Sequence, residues 1–240
     1  MPVMPTADPF VFPAPLWAFL TRLGEAQILI PAMLAVSIWL IWRGNAMRMA
    51  LTWVLATGLT AFVTAATKIA FMGWEIGYAP LDFTGISGHA MFAAAILPLF
   101  ARMAEGWVPQ RWHHWPTAAG YALAALVGIS RVAVQAHSWS EVIAGLVVGG
   151  AASGAVLILV HTPRLRVPVW MPAAVFAWLA LGAQAAPPSP THSWVAQVAM
   201  ALSGHPKPYQ RWQLHYHYRQ EQRRREATAA GQARGRGDAP

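Results

Sequence analysis

The chain has 240 residues and no cysteine; 56% of it is hydrophobic, and 17 Lys and Arg with 9 Asp and Glu make up a charged fraction of 11%. That fraction is less than half of the ~25% usual in soluble domains, which argues against an ordinary water-soluble globule, while the lack of cysteine excludes disulfide frameworks, thiolate metal sites and thiol nucleophiles. The net charge of +8 suggests nucleic acid, but residues 206–240 alone hold eight basic and three acidic side chains, so the excess belongs mostly to a tail and no nucleic-acid partner is expected.

Residues 1–25 carry no basic residue before Arg22 and four prolines between positions 5 and 15. They read as an outer segment rather than a signal peptide, with residues 5–15 irregular. Uncharged apolar stretches follow at Ala26–Trp42, Met49–Thr67, Gly88 to Ala101, Pro116–Ser130, Val142–Val160 and Val167 to Ala185. A bilayer-crossing helix takes about 20 apolar residues, within roughly 17–25. The second and fifth stretches fit directly. The third and fourth must borrow polar residues at one end, around Ser87 to His89 and around Arg131 to Gln135, which is tolerable only where that end meets water or a cavity.

The expected fold is therefore all-α, a polytopic membrane bundle of six transmembrane helices over residues 26–185. Arg43 and Arg48, Arg102 and Arg111, and Arg164 and Arg166 fall in three alternate loops, which the positive-inside rule assigns to the cytoplasm. Residues 68–87, residues 131–141 and both termini then face outward, in an inner (plasma) membrane with the polar clusters on the periplasmic or exterior side. Residues 186–240 form a C-terminal extension. Prolines end the sixth helix, Trp194 to Leu202 suits a short interfacial helix, the aromatic and basic run Tyr209 to Tyr218 suits the headgroup level, and the polar stretch after it reads as disordered.

Three polar clusters fall on one expected face: Lys68; Gly85-Ile86-Ser87-Gly88-His89; and Ser130-Arg131 with His137 and Glu141. Glycines beside a helix start leave backbone N–H groups and the positive end of the helix dipole open to an anion, and a phosphate fits there. His89 can transfer a proton near neutral pH. Glu141 lies one helical turn from His137 and can hold one imidazole nitrogen while the other attacks. Each feature also has a purely structural explanation. Ser87 is a common N-cap type, Ser138-x-x-Glu141 is a capping box, and Lys68 and Arg131 are the kind of cation that anchors a span at the interface.

Taken together, Lys68, then Gly85-Ile-Ser-Gly-His89, then Ser130-Arg131-x5-His137-x3-Glu141 resembles the three-part signature of the type 2 phosphatidic acid phosphatase superfamily: Lys-x6-Arg-Pro, Pro-Ser-Gly-His and Ser-Arg-x5-His-x3-Asp. The resemblance covers residues 68–145, and the layout is similar to the integral-membrane branch. It implies that His137 attacks phosphorus to give a phosphohistidine, that His89 protonates the leaving group, that Glu141 orients His137, and that Lys68, Ser87, Gly88 and Arg131 hold phosphate oxygens. It implies no metal and no cofactor, and a lipid phosphate or diphosphate as substrate among the surrounding membrane lipids.

Three positions depart from the pattern: Glu75-Ile76 replaces Arg-Pro, Ile86 replaces proline, and Glu141 replaces aspartate. The last keeps the carboxylate and the second loosens a turn. Glu75 removes a phosphate-binding cation and sets a carboxylate where an anionic substrate is expected, with Arg22, Arg211 or no residue taking over. Two other readings follow, a weakened member that binds a headgroup or partner without turnover, and a transporter. The transporter is disfavoured because nearly all ionisable residues lie at span ends rather than within spans.

Overall fold

The computed structural model describes residues 14–42, 46–160, 167–168, 170–185 and 190–237. Residues 1–13, which include most of the stretch expected to be irregular, three of the loop arginines (Arg43, Arg164 and Arg166) and residues 186–189 lie outside the described residues. Among the described residues the chain is all-α, with one isolated bridge between Tyr78 and Phe83. The helices are α1 (Ala14–Arg22), α2 (Ala26–Trp42), α3 (Met47–Trp74), α4 (Gly88–Arg102), α5 (Trp115–Ala133), α6 (Trp139–Leu159), α7 (Trp170–Ala185), α8 (Thr191–Ser203) and α9 (Arg211–Gly237).

Each expected apolar stretch is helical, but the count of six crossings is not met by length. Three helical stretches, Met47–Trp74, Gln110–Ala133 and Trp139–Leu159, are long and apolar enough to cross a membrane, and a fourth arises if α1 and α2, bent by 42° at their junction, act as one. The physical reason is plain in α4. Its 15 residues rise only about 22 Å at 1.5 Å each, short of a hydrocarbon layer of about 30 Å. The long helices expose apolar side chains at helical spacing, including Leu51, Leu55, Leu59 and Phe62 of α3, as lipid-facing surfaces do.

The chain divides into two units, residues 1–66 with 86–190, and residues 67–85 with 191–240. The extension expected to start at residue 186 thus groups with a segment from the middle of the chain.

In the first unit α4 is the core. Ala90, Met91, Ala93 to Leu97 and Leu99 are buried, and the helix packs chiefly against α5 and α6. Gly145 and Gly149 of α6 explain the close fit. A Cβ at Gly145 would come within 2.6 Å of the Ser87 carbonyl oxygen, and one at Gly149 would collide with the backbone of Met91. Small residues at this spacing let two membrane helices meet backbone to backbone. Pro98 inside α4 has no N–H to give to the Ala94 carbonyl, and the Ser153 hydroxyl donates to that oxygen instead at 2.8 Å. Trp53, fully buried, donates its indole N–H to Ala95 at 3.0 Å and meets Phe100 edge-on. At the far end of α4 the buried Glu105 accepts from Arg102 and from Thr117, closing the turn into α5.

In the second unit, α3 ends where Glu75 takes a left-handed backbone (φ 57°) and the Ile76 N–H reaches back to Ala70. A tight loop follows, in which Tyr78 and Phe83 exchange backbone hydrogen bonds at 2.9 and 3.1 Å around Ala79–Leu81. The first turns of α9 hold this loop. Arg211 donates to Asp82 at 2.5 Å and to Thr84 at 3.3 Å, His215 Nε2 lies 2.6 Å from Asp82, and His217 Nδ1 lies 2.8 Å from Glu75. The expected disorder after Tyr218 is corrected, since α9 continues to Gly237. Its Gln, Glu, Arg and Ala are strong helix formers, and Glu221 pairs with Arg225 one turn on at 3.1 Å.

Candidate functional site

The third motif is built by its own backbone. After Ser130, whose buried hydroxyl donates to Val127 at 2.6 Å, α5 ends at Ala133 and Gln135 turns left-handed (φ 54°). The N–H groups of Ala136 and His137 both donate to the carbonyl of Arg131, at 3.0 and 3.2 Å. The five-residue gap between Arg131 and His137 is thus the length of chain needed to fold back onto that one oxygen.

Ser138 then starts α6 with a complete capping box. Its hydroxyl accepts from the Glu141 N–H at 3.4 Å, and its own N–H donates to Glu141 Oε2 at 3.2 Å. The same oxygen lies 2.6 Å from His137 Nδ1. The cap and the imidazole support, which compete as explanations of this glutamate in the sequence, are both present. The extra methylene relative to aspartate is accommodated with Glu141 fully buried. A carboxylate in that position accepts from the ring N–H and fixes both the tautomer and the ring orientation.

The second motif meets the third directly, because the Ser87 N–H donates to the Glu141 carbonyl oxygen at 3.0 Å. Ser87 occupies the N-cap position of α4, yet its side chain makes no capping bond, and its fully buried hydroxyl has no hydrogen-bond partner. Simple capping therefore does not account for this serine. Gly88 and His89 form the first turn of α4, and Ile86, in place of proline, is buried. The Arg131 guanidinium donates from Nη1 to Thr21 at 2.8 Å, while its Nε is buried without a partner. Orphaned buried donors are rare in folded proteins and call for an explanation such as a missing ligand. The first unit thus joins Ser87, at the start of α4, to the turn that carries Arg131, His137 and Glu141.

Lys68 belongs to the second unit, on α3. Gly85, with φ 135°, packs its backbone against it, so a Cβ there would come within 2.9 Å of the lysine side chain. Glu75 is tied to His217, and Arg211, a candidate to replace the lost arginine, is engaged by Asp82 and Thr84. Sequence reasoning passed over Glu105, His113 and His114, which each bring one potential ligand atom within 4.8 Å of the others. The His113-His114 pair was the available signal. The carboxylate is already met by Arg102 and Thr117, which explains its burial without an ion.

Comparison with known proteins agrees with this geometry. The PAP2 superfamily profile matches residues 75–165. An uncharacterized 22.5 kDa protein in the cps region of Klebsiella pneumoniae is 36% identical over 209 residues, covering 83% of this chain and 97% of that protein. No solved structure matches. With a relative aligned along nearly its whole length and the second and third motifs meeting at one corner, the chain belongs to the PAP2 superfamily, whose members generally hydrolyse phosphate esters.

Proposed function

We propose that the chain is an integral-membrane phosphatase that hydrolyses a lipid phosphate or diphosphate through a phosphohistidine, at the outer face of the inner (plasma) membrane. The observation that carries this reading is the 2.6 Å contact between His137 Nδ1 and the buried Glu141 carboxylate. It supports attack by the opposite ring nitrogen, Nε2.

In the first step the bond from His137 Nε2 to phosphorus forms as the bond from phosphorus to the lipid oxygen breaks, and His89 gives its proton to that oxygen. In the second step water attacks the phosphohistidine, His89 takes a proton from it, and the phosphorus–nitrogen bond breaks to release inorganic phosphate. Charge on the equatorial oxygens is met by fixed cations and N–H donors, the main protein contribution to phosphoryl transfer. Arg131, Ser87 and Gly88 take this part; the same role for Lys68 rests on motif order alone. The apolar exposure of the long helices supports a membrane-borne substrate, and the arginines of alternate loops support the outward orientation. All six apolar helices cross in this reading, with the short α4 enclosed by protein rather than lipid.

The test is to trap labelled phosphate on a histidine after brief exposure to candidate lipid phosphates, alongside His137→Ala and His89→Ala. Label on His137 that is lost in His137→Ala is expected. Equal phosphate release from all three proteins overturns the proposal. A second reading, a member that binds a headgroup without turnover, is favoured by one observation, Glu75 in place of the motif's arginine. Headgroup binding with no trapped label and no release would select it.

A further inference from the structure

The turn joining α1 to α2 packs onto the site within the first unit. Thr21 accepts from Arg131, and Gly24 lies so close to His89 that a Cβ would come within 3.0 Å of that residue's Cβ and carbonyl oxygen. Between these two contacts stands Arg22. Its Nε and Nη2 are buried without a hydrogen-bond partner, and its ion pair with Glu25, at 3.7 Å, is too long to be a hydrogen bond. Glu25 is itself buried, accepts from Gln27 at 2.7 Å, and its charge also acts on Arg131. Two guanidiniums therefore share the charge of one carboxylate, which leaves a positive charge in excess and three guanidinium nitrogens, Nε and Nη2 of Arg22 and Nε of Arg131, with nothing to donate to. Buried cations with open donors are matched by an oxyanion, and guanidinium forks suit phosphate oxygens in particular.

We propose that Arg22 is a second phosphate-binding guanidinium of this site, supplying from the α1–α2 turn the cation that Glu75 removes from the first motif, with Glu25 as its counter-ion when no phosphate is bound. The proposal rests on the phosphatase reading for the identity of the site. Its chemistry is that of a phosphoryl oxyanion, free or on a lipid headgroup. Arg211 is engaged elsewhere by Asp82 and Thr84 and does not serve.

The test is equilibrium binding to full-length His137→Ala protein, in which nothing is turned over, of inorganic phosphate and separately of a short-chain phosphatidate, with and without Arg22→Ala. Loss of at least about tenfold in affinity for both ligands is expected for a charged hydrogen bond. Affinities within about twofold for both overturn the proposal, as does a loss confined to the phosphatidate, which would place Arg22 on another part of the lipid. Should Arg22→Ala fail to fold, the unaltered chain decides. Phosphate should slow phenylglyoxal modification of Arg22, and equal rates with and without phosphate overturn the assignment. Phosphate binding that depends on Arg22 in a protein that never forms phosphohistidine would remove the phosphatase reading and keep this one. Phosphohistidine formation with binding undiminished by Arg22→Ala would do the reverse.

Discussion

Two histidine–carboxylate pairs in this chain look alike in distance and differ in everything else. His137 and Glu141 stand four residues apart at 2.6 Å, with side chains 13% and 0% exposed; His217 and Glu75 meet at 2.8 Å across 142 residues, 56% and 19% exposed. Where water reaches both partners, solvation and salt offset the attraction, and such a pair adds about 0–1 kcal/mol. Where the carboxylate is sealed, its oxygens must be met by donors, and the pair fixes an imidazole in one orientation. The buried pair holds an imidazole in place, and the exposed one fastens a helix to a loop.

The largest expected effect breaks this comparison at its reactive end. His137→Ala should lower phosphate release by about a thousandfold or more, as loss of a nucleophile does, and should also lower the thermal unfolding midpoint, because it takes a donor from the sealed Glu141 carboxylate. Retained turnover would remove the distinction. Next, Glu141→Ala leaves the His137 ring, the Ser138 N–H and the helix cap without their acceptor, and should cost about 3–5 kcal/mol in unfolding free energy. Glu141→Asp should recover part of both stability and rate.

Ser153→Ala gives an intermediate point, since it strips the Ala94 carbonyl of its donor beside Pro98 and should cost about 1–3 kcal/mol. The smallest effect belongs to the exposed pair. His217→Ala should change stability by less than about 1 kcal/mol, and less still in high salt. Glu75→Arg should leave activity unchanged or raise it; a large loss would give the glutamate a positive role and bring the two pairs closer in kind.

The geometry of the third motif was legible because it is local. The gap from Arg131 to His137 and the turn from Ser138 to Glu141 are closed by backbone hydrogen bonds within eleven residues, so spacing in the sequence is spacing in space. The apolar helices were legible from composition, but their number as crossings was not. Whether 15 residues such as those of α4 face lipid or protein depends on neighbours supplied by α5 and α6. Ser153 as the partner of Ala94, and His217 as the partner of Glu75, were illegible for the same reason, as each joins residues far apart in the chain. Arg22 could be named as a candidate, but what singles it out is that two of its guanidinium nitrogens, Nε and Nη2, are buried with no partner. The α9 helix differs from the expected disorder because its run, though poor in apolar residues, is rich in helix-forming Gln, Glu, Arg and Ala.

The double acceptance at the Arg131 carbonyl carries a last consequence. Two peptide N–H groups anchored on one oxygen give the histidine its address before any ligand arrives, so little reorganisation is left for the moment of reaction. In the proposed phosphatase, discrimination among headgroups and chains then falls to the surrounding helices, and a protein engineer could graft new walls around this corner to retarget it without retuning its chemistry.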